Sequence, residues 1–331
     1  MSVTTGTGER GDHVSAEPFE PSRWRRWSPA LARHAAAIGL LGVFVVFFIA
    51  TPDFLTVGNI TDLLVSAAIL VVLALGQQVV IVAAGIDLSV GANLPWAAVL
   101  FGEGMSHGWG VTASTLLSIA GAGAVGLVNG LVTAVAGVTD FIATLGSLSV
   151  VSGISLLLTA GNTTPVSSPF LRRLALDGIG PVRWFWLVAA VVAAAVWLGI
   201  ARTRTGTHLL ATGGNLEAAR EAGIPVARMR VLAYTASGLL CGLAGVLYVA
   251  RTGGADPTLQ TDFLLSSIAA VVLGGSSLFG GQSAVLGTVA GAVLLTALVN
   301  GFTILGISQY YQPIAVGGVV VAAAVLSRFK R

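Results

Sequence analysis

Long apolar runs, separated by short polar segments, recur from residue 35 almost to the end of the chain. A transmembrane α-helix needs about 20 apolar residues, and fewer where surrounding protein shelters a short helix. Runs that meet this requirement lie near 35–50, 60–83, 88–102, 111–136, 141–160, 184–201, 229–250, 263–275, 284–304 and 310–327. The pattern predicts an all-α polytopic membrane protein with about ten transmembrane helices, some of them short or broken.

The composition supports this interpretation over a soluble fold. The 331 residues are 55% hydrophobic and only 9% charged, which leaves too little polar surface for a soluble globule of this size. Forty-three glycines fit the same interpretation, because small residues let transmembrane helices pack closely in lipid. Cys241 is the only cysteine and lies in an apolar run. It cannot form an intramolecular disulfide or a cysteine metal cluster, and we expect a buried thiol.

The basic residues indicate how the chain is oriented. An even number of spans places both termini on one side, and cytoplasmic segments carry an excess of arginine and lysine. With both termini in the cytoplasm, few arginines remain outside: Arg172, Arg173, Arg183 and Arg251. The net charge of +3 therefore reports orientation and not nucleic-acid binding. The polar segment 1–34 is predicted to be a disordered cytoplasmic tail ahead of a transmembrane domain at 35–331.

One polar segment between apolar runs, residues 213–230, has the features of a short cytoplasmic helix. Asn215 suits the N-cap, where a side-chain oxygen binds the free amides of the first turn, and Glu217 places negative charge at the positive end of the helix dipole. Gly223 suits the left-handed residue that ends a helix, and Pro225 suits the first turn of the next one. A helix of about two turns is unstable alone, so we expect it to pack against something.

The surface of this helix suggests a docking element. Three alanines would form a smooth face that another protein can approach closely, and three charged residues around it could set the register. These residues are Ala218, Ala219 and Ala222, bordered by Glu217, Arg220 and Glu221. From composition alone, an ordinary solvated loop helix is an equal alternative.

A glycine-bounded acidic residue, Asp87, follows the second apolar run. The order Asp87, Leu88, Ser89 is typical of a helix N-terminus, with the Asp87 carboxylate accepting from free amides of the third span. A structural cap is the expected role of Asp87 and Ser89, and a coupling contact with a partner is the alternative. No metal site is expected there.

Four polar residues lie at membrane depth within or beside the spans: Gln77, Asn129, Thr144 and Ser147. An unpaired amide or hydroxyl is costly at that depth, so such groups either bond across helices or face a watery passage. Helix packing is the default for these side chains. They are also the candidates for lining a translocation path.

A glycine-rich turn at 274–281 resembles a phosphate-binding loop only superficially. No lysine precedes Lys330, which excludes a nucleotide-binding P-loop. The histidines are dispersed, and neither a Ser-His-acid set nor a pair of carboxylates is indicated. The sequence therefore predicts that this chain is not an enzyme and does not hydrolyse ATP.

Four segments together resemble the membrane permease subunits of bacterial ABC importers of the ribose and xylose type. They are 85–91 (GIDLSVG), 141–146 (FIATLG), 213–220 (GGNLEAAR) and 272–281 (VLGGSSLFGG). The resemblance covers residues 35–331, and four motifs in the family's order make it specific. The sequence departs from the family's pattern at Asp140, where proline usually precedes the phenylalanine, and at 282–283, where a charged residue and glycine are common.

The resemblance implies partners and roles for this chain. The segment 214–224 resembles the coupling helix that sits in a groove of a partner ATPase, which binds ATP and Mg while this chain binds no cofactor. The other implied partners are an extracytoplasmic solute-binding protein, a second permease copy or homologue, a sugar and the lipid bilayer of the bacterial cell membrane, without nucleic acid. The implied coupling residues are Gly214, Asn215, Glu217, Ala218, Ala219, Arg220, Gly223 and Ile224.

Two transport mechanisms are compatible with such a chain. In an ABC importer, ATP binding by the partner would move the coupling helix and tilt the flanking spans, switching a central passage between outward and inward access. A secondary transporter driven by an ion gradient would instead need ionisable residues inside the spans. Only Asp87 and Asp140, near helix ends, come close to this requirement. Composition alone also allows a third class, a non-transporting membrane assembly protein. The importer permease is the preferred interpretation.

The predicted orientation can be tested by thiol labelling in a background without Cys241. A cysteine introduced at Gly8 or Arg331 should be protected from an impermeant reagent added outside, because both positions would lie in the cytoplasm. A cysteine at Thr163 should be labelled. Labelling after permeabilisation checks that each thiol is reactive, and the reverse pattern would overturn the orientation.

Overall fold

Apolar helices form nearly all of the chain that is described in the computed structural model, residues 35–180, 182–258, 261–318 and 321. They are α1 (Ala35–Ala50), α2 (Val57–Val82), α3 (Val90–Ser106), α4 (Gly110–Ala134), α5 (Asp140–Thr159), α6 (Pro169–Leu176), α7 (Trp184–Arg202), α8 (Arg204–Gly214), α9 (Leu216–Glu221), α10 (Val226–Thr252), α11 (Thr261–Leu273) and α12 (Val285–Ile304). Within this described part, α2, α4, α5, α7, α10 and α12 are long and apolar enough to cross a membrane. The predicted all-α polytopic fold is confirmed, and the predicted tail at 1–34 lies outside the described residues.

Nine of the ten predicted spans coincide with a described helix. Helices α1, α3 and α11 are short, with 16, 17 and 13 residues. A helix the length of α11 rises only about 20 Å, less than the hydrocarbon core of a bilayer. Helix α3 continues through Pro95, so the third span is short rather than broken. Of the tenth span, residues 312–318 are helical, and 319, 320 and 322–327 lie outside the described residues.

Helix α2 forms the centre of the molecule. Every residue from Ala67 to Val82 is buried, and α7, α10, α11 and α12 pack around it. A helix that is apolar on all sides is expected in such a position. The surrounding core includes Cys241, whose thiol is free and buried as the sequence predicted.

Helices α4 and α10 touch through their backbones, at positions that only glycine can occupy. A Cβ atom on Gly126 of α4 would lie 2.2 Å from the Tyr234 carbonyl oxygen of α10. One on Gly238 of α10 would lie 2.4 Å from the Ala122 carbonyl oxygen of α4. Small residues allow this close approach where lipid offers no hydrophobic drive between helices. Glycine at these positions therefore serves helix packing.

Helix α10 is the longest described helix, and different elements lie at its two ends. Its 27 residues extend about 40 Å. It begins at Val226 just after α9, and its last turn at Thr252 adjoins α6. Antiparallel two-residue strands also lie at this second end: β1 (Thr164–Pro165) with β4 (Gly254–Ala255), and β2 (Gly178–Ile179) with β3 (Val182–Arg183). We call these the α9 end and the α6 end.

Candidate functional site

Helix α9 is the short polar helix that the sequence predicted within 214–224. The side-chain oxygen of Asn215 accepts the Ala218 amide at 3.0 Å, so the predicted N-cap is present. Glu217 lies in the first turn, and Gly223 has a φ of 76°, in the left-handed region that favours glycine. Pro225 occupies the N-cap of α10 and not its first turn, so that detail of the prediction is wrong.

Most of the surface of α9 is open to solvent, but one alanine is not. Ala219 is only 4% exposed, while Ala218 and Ala222 are exposed. Residues four apart share a helix face, whereas the next residue is rotated by about 100°. The prediction of a face of three alanines is therefore wrong, and only two are available to a partner. Of the other predicted coupling residues, those exposed are Gly214, Asn215, Glu217, Arg220 and Gly223, and Ile224 is partly buried.

The residues just before α9 pack closely against the backbones of two other segments. A Cβ atom on Gly213, near the end of α8, would lie 1.9 Å from the carbonyl oxygen of Val82, the last residue of α2. The same carbonyl accepts the Gly281 amide at 3.0 Å. Gly280 and Gly281 have φ of 85° and 72°, which other residues rarely adopt. We call Gly213, Val82, Gly280 and Gly281 the glycine clamp.

Gln78 of α2 holds the other side of the glycine-rich turn. With its amide oxygen turned toward α12, it accepts the amides of Ala284 and Val285 at 3.0 and 3.2 Å. Its nitrogen donates to the Thr288 hydroxyl at 3.2 Å, and the Ser276 hydroxyl lies 3.1 Å from its oxygen. Gln78 therefore satisfies the free amides at the start of α12 from within the core.

A buried network of polar side chains joins α3, α4, α5 and α10 at the α9 end. One carboxylate oxygen of Asp87 accepts the amide and hydroxyl of Ser89 at 3.0 and 2.5 Å. Its other oxygen accepts the Ser237 hydroxyl of α10 at 3.1 Å. The Ser89 hydroxyl accepts from the Asn129 amide of α4 at 2.8 Å, and the Asn129 oxygen accepts from Ser147 of α5. We call these five residues the Asp87 network.

Asp87 lies between α2 and α3, and its side chain is completely buried. Burial raises the pKa of its carboxyl group, while hydrogen bonds from Ser89 and Ser237 act in the opposite direction. The predicted capping of the third span is only partly present, because the carboxylate binds a single backbone amide there and the Ser89 side chain makes no capping hydrogen bond. That amide belongs to Ser89, the N-cap residue of α3. The bond to Ser237 also makes Asp87 a link between helices.

A second set of contacts joins α5 to α10 beside this network. Asp140, the first residue of α5, forms an ion pair with Arg230 of α10, and the two side chains are 18% and 19% exposed. An acidic residue in the first turn also suits the helix dipole. Tyr234 of α10 donates to the Ile86 carbonyl at 3.2 Å, and Thr144 donates to the Asp140 carbonyl at 2.7 Å. The departure from the family's proline thus supplies an interhelical ion pair.

The residues predicted for a translocation path fall into two groups. Asn129 and Ser147 belong to the Asp87 network, and Thr144 bonds to backbone carbonyls beside it. Gln77 is fully buried in α2, and neither atom of its amide has a hydrogen-bond partner among the described residues. A role of these four residues in the path stays a prediction.

Sequence reasoning missed three contributors to the site. Ser237 and Arg230 lie 150 and 90 positions from their partners, so no local pattern pairs them. Gln78 did carry a signal, because two adjacent glutamines inside an apolar run both need hydrogen-bond partners.

The residues from α2 onward match a known family of membrane proteins. A family model described as branched-chain amino acid transport system / permease component matches residues 59–325. The chain belongs to this permease family. The match includes α9, the glycine clamp and the Asp87 network, so these features lie in the shared domain. The permease is a component of a membrane transport system and not an enzyme.

Individual relatives resemble the permease over most of its length. It is 36% identical over 307 residues to the ribose import permease protein RbsC of Escherichia coli K12, with 89% of this chain and 93% of the relative covered. Identity to the Bacillus subtilis RbsC is also 36%, over 88% and 92% of the two chains. Identity to the galactose/methyl galactoside import permease protein MglC of Salmonella typhimurium is 33%, over 88% and 92%. The ribose-type resemblance is thereby confirmed. No solved structure matches the chain.

The glycine clamp predicts that only one of two neighbouring substitutions destabilises the permease. Gly213→Ala should destabilise the permease by about 1–3 kcal/mol or more, because its methyl group would overlap the Val82 carbonyl. Gly214→Ala is the matched control, since a Cβ there would lie 4.0 Å from its nearest neighbour, Gly281. Membrane abundance and thermal unfolding in detergent provide the measurement. Equal stability of the two variants would contradict the clamp.

The Asp87 network predicts that hydrogen bonding at residue 87 contributes more to the stability of the permease than the negative charge does. Asp87→Asn should be close to wild type in stability, because an amide of the same shape can bond to Ser89 and Ser237. Asp87→Leu leaves buried groups of both serines unsatisfied and should cost about 1–3 kcal/mol for each. Thermal unfolding of the two purified variants tests this, and a destabilised Asp87→Asn would show that the charge is required.

Proposed function

We propose that this permease is the membrane-spanning subunit of an ATP-binding-cassette importer for a monosaccharide. Relatives named for ribose, allose and galactose/methyl galactoside support the sugar class. The match to the ribose permease covers 89% of this chain, so the similarity extends over the spans and the cytoplasmic helix together. In this function the spans form the translocation path, and α9 couples the path to a partner ATPase.

The coupling role rests on one observation: α9 is exposed, but the segments on both sides of it are packed against or bonded to the core helices. Before α9, Gly213 packs backbone to backbone against the end of α2, which is hydrogen-bonded to the turn at 274–281 through Val82 and Gly281. After α9, helix α10 is tied to α3 and α5 through Ser237 and Arg230. An ordinary solvated loop helix needs neither attachment. The two attachments therefore favour a docking helix.

A displacement of α9 would reach the core helices by both routes. When the ATPase binds ATP and shifts α9, the clamp carries the movement to α2 and the turn between α11 and α12. Helix α10 carries it to the Asp87 network, and so to α3, α4 and α5. Nucleotide can drive this change because it binds the two conformations of the complex with different affinity. The passage then alternates between outward and inward access.

Gln77 is the described residue best suited to contact the sugar during passage. An amide side chain offers two donors and an oxygen with two acceptor sites, and Gln77 uses none of them within the described chain. A sugar hydroxyl can use these groups once the surrounding helices separate. Asn129, Thr144 and Ser147 would then form interhelical bonds that break and reform at the inner end of the path.

The arginine distribution supports a cytoplasmic α9 end with both termini on the same side. The α6 end would then face the exterior, where an extracytoplasmic solute-binding protein delivers the sugar. A second permease copy or a homologue completes the membrane part.

The buried Asp87 is bonded to serines and Asp140 is paired with Arg230. This favours the ATP-driven importer over an ion-gradient-driven transporter, which needs available ionisable groups.

The coupling role predicts the behaviour of two variants in α9 and its end. Glu217→Lys reverses an exposed charge, and Gly223→Val places a β-branched residue at a left-handed position. Both should reduce ATPase co-purification and sugar uptake at least tenfold while the permease still reaches the membrane. A surface charge change alone alters stability by only about half a kcal/mol. The measurements are membrane abundance, ATPase co-purification and uptake.

The matched control is Glu103→Lys, the same charge reversal at the α6 end of α3. It should leave both ATPase co-purification and uptake unchanged. The permease purified without partners should show no ATP hydrolysis. A Glu217→Lys variant that retains its ATPase and transports at the wild-type rate would refute the coupling role.

A further inference from the structure

Three of the four arginines at the α6 end line a single groove. Arg172 and Arg173 lie on α6, and Arg251 lies in the last turn of α10. All three are exposed, and the groove has a volume of about 680 Å³. Asp177 is the one acidic residue among its described lining residues, so three arginines against one aspartate give a net charge of +2. We call this site the arginine groove.

The three guanidinium groups are available for a partner. Within the described part of the chain, none of them forms an ion pair; the ion pairs there involve Arg230 and His107. A guanidinium presents five N–H donors in a planar fork that matches a carboxylate. The bias of basic residues toward the cytoplasm also works against arginines at the outer end. Their gathering in one groove therefore calls for a specific role.

The groove is built on a fixed frame. Leu171 and Ala175 of α6 are buried and α6 packs against α10, which leaves Arg172 and Arg173 on the exposed face. The Val166 amide donates to the Gly253 carbonyl at 2.8 Å, beside the β1–β4 pair. These contacts hold the wall at 166–169, helix α6 and the end of α10 together. A rigid surface loses less entropy on binding than a mobile one.

We propose that the arginine groove is the docking surface for an acidic patch of the extracytoplasmic solute-binding protein. This inference rests on the proposed importer function. Complementary charge would steer the binding protein to the permease and set its orientation. Helix α10 connects the groove to α9. A protein docked at the outer end would therefore contact the same helix that the ATPase moves at the inner end.

A protein partner fits the groove better than lipid headgroups do. Headgroups contact the rim of a membrane protein around its perimeter, whereas these arginines share a concave site with walls from three segments. The groove also adjoins the end of α10 and not only the lipid-facing surface of one helix. A lipid site is the outcome that the experiment must separate from protein docking.

The test uses the permease–ATPase complex in nanodiscs of neutral phosphatidylcholine and the solute-binding protein of the same transport system. The variant Arg172→Glu, Arg173→Glu, Arg251→Glu should bind this protein at least tenfold more weakly than wild type. It should keep ATPase co-purification and basal ATP hydrolysis, and it should lose the stimulation of hydrolysis by the binding protein. Affinity for the wild-type complex should fall as salt concentration rises.

The matched control is Arg183→Glu, at the same end but outside the lining of the groove. It should retain wild-type affinity. Single variants Arg172→Ala, Arg173→Ala and Arg251→Ala should each weaken binding severalfold, and they decide the question if the triple variant does not fold. Wild-type affinity in these variants, or an equal loss in Arg183→Glu, would overturn the proposal.

Three further outcomes separate this inference from others. Unchanged protein affinity, together with binding of phosphatidylglycerol that depends on the three arginines, would overturn it in favour of a lipid site. If Glu217→Lys abolishes coupling while the groove variants bind the solute-binding protein normally, the docking surface alone is wrong. If Glu217→Lys transports normally, the proposed coupling itself fails.

Discussion

Direct contact between helix backbones at glycine is the constraint on which the rest of this structure depends. Lipid supplies no hydrophobic drive between helices, so their association requires close packing and interhelical bonds. Gly126 and Gly238 bring α4 and α10 into such contact. This contact fixes the position of α10, and α10 carries the side chains that reach α3 and α5. A bulkier residue at either glycine would displace all of these contacts together.

The buried hydrogen bonds at the α9 end depend on that packing. Asp87 can bind Ser237 only because α10 lies close to the start of α3. In a low-dielectric interior, a polar group without a partner is costly, so a network of this kind favours one arrangement of the helices strongly.

Helix α10 connects the two surfaces at which partners are proposed to bind. Its first residue follows α9, and its last turn contributes Arg251 to the arginine groove. Between these ends it contacts α2, α3 and α4. A rigid helix of about 40 Å transmits a tilt from one end to the other without any change in its own structure. This arrangement offers a direct physical route between the α9 end and the α6 end.

The sequence by itself determined the features that depend on neighbouring residues. Hydropathy located nine helices, and the cap at Asn215 and the turn at Gly223 followed from local backbone chemistry. The tertiary structure alone decided which way Ala219 faces, what Asp87 binds and where the scattered arginines meet. These outcomes depend on segments far apart in the chain, and no local rule states which helices become neighbours. The lack of space for a side chain at Gly213, beside the Val82 carbonyl, can be recognised only when the packing of the helices is known.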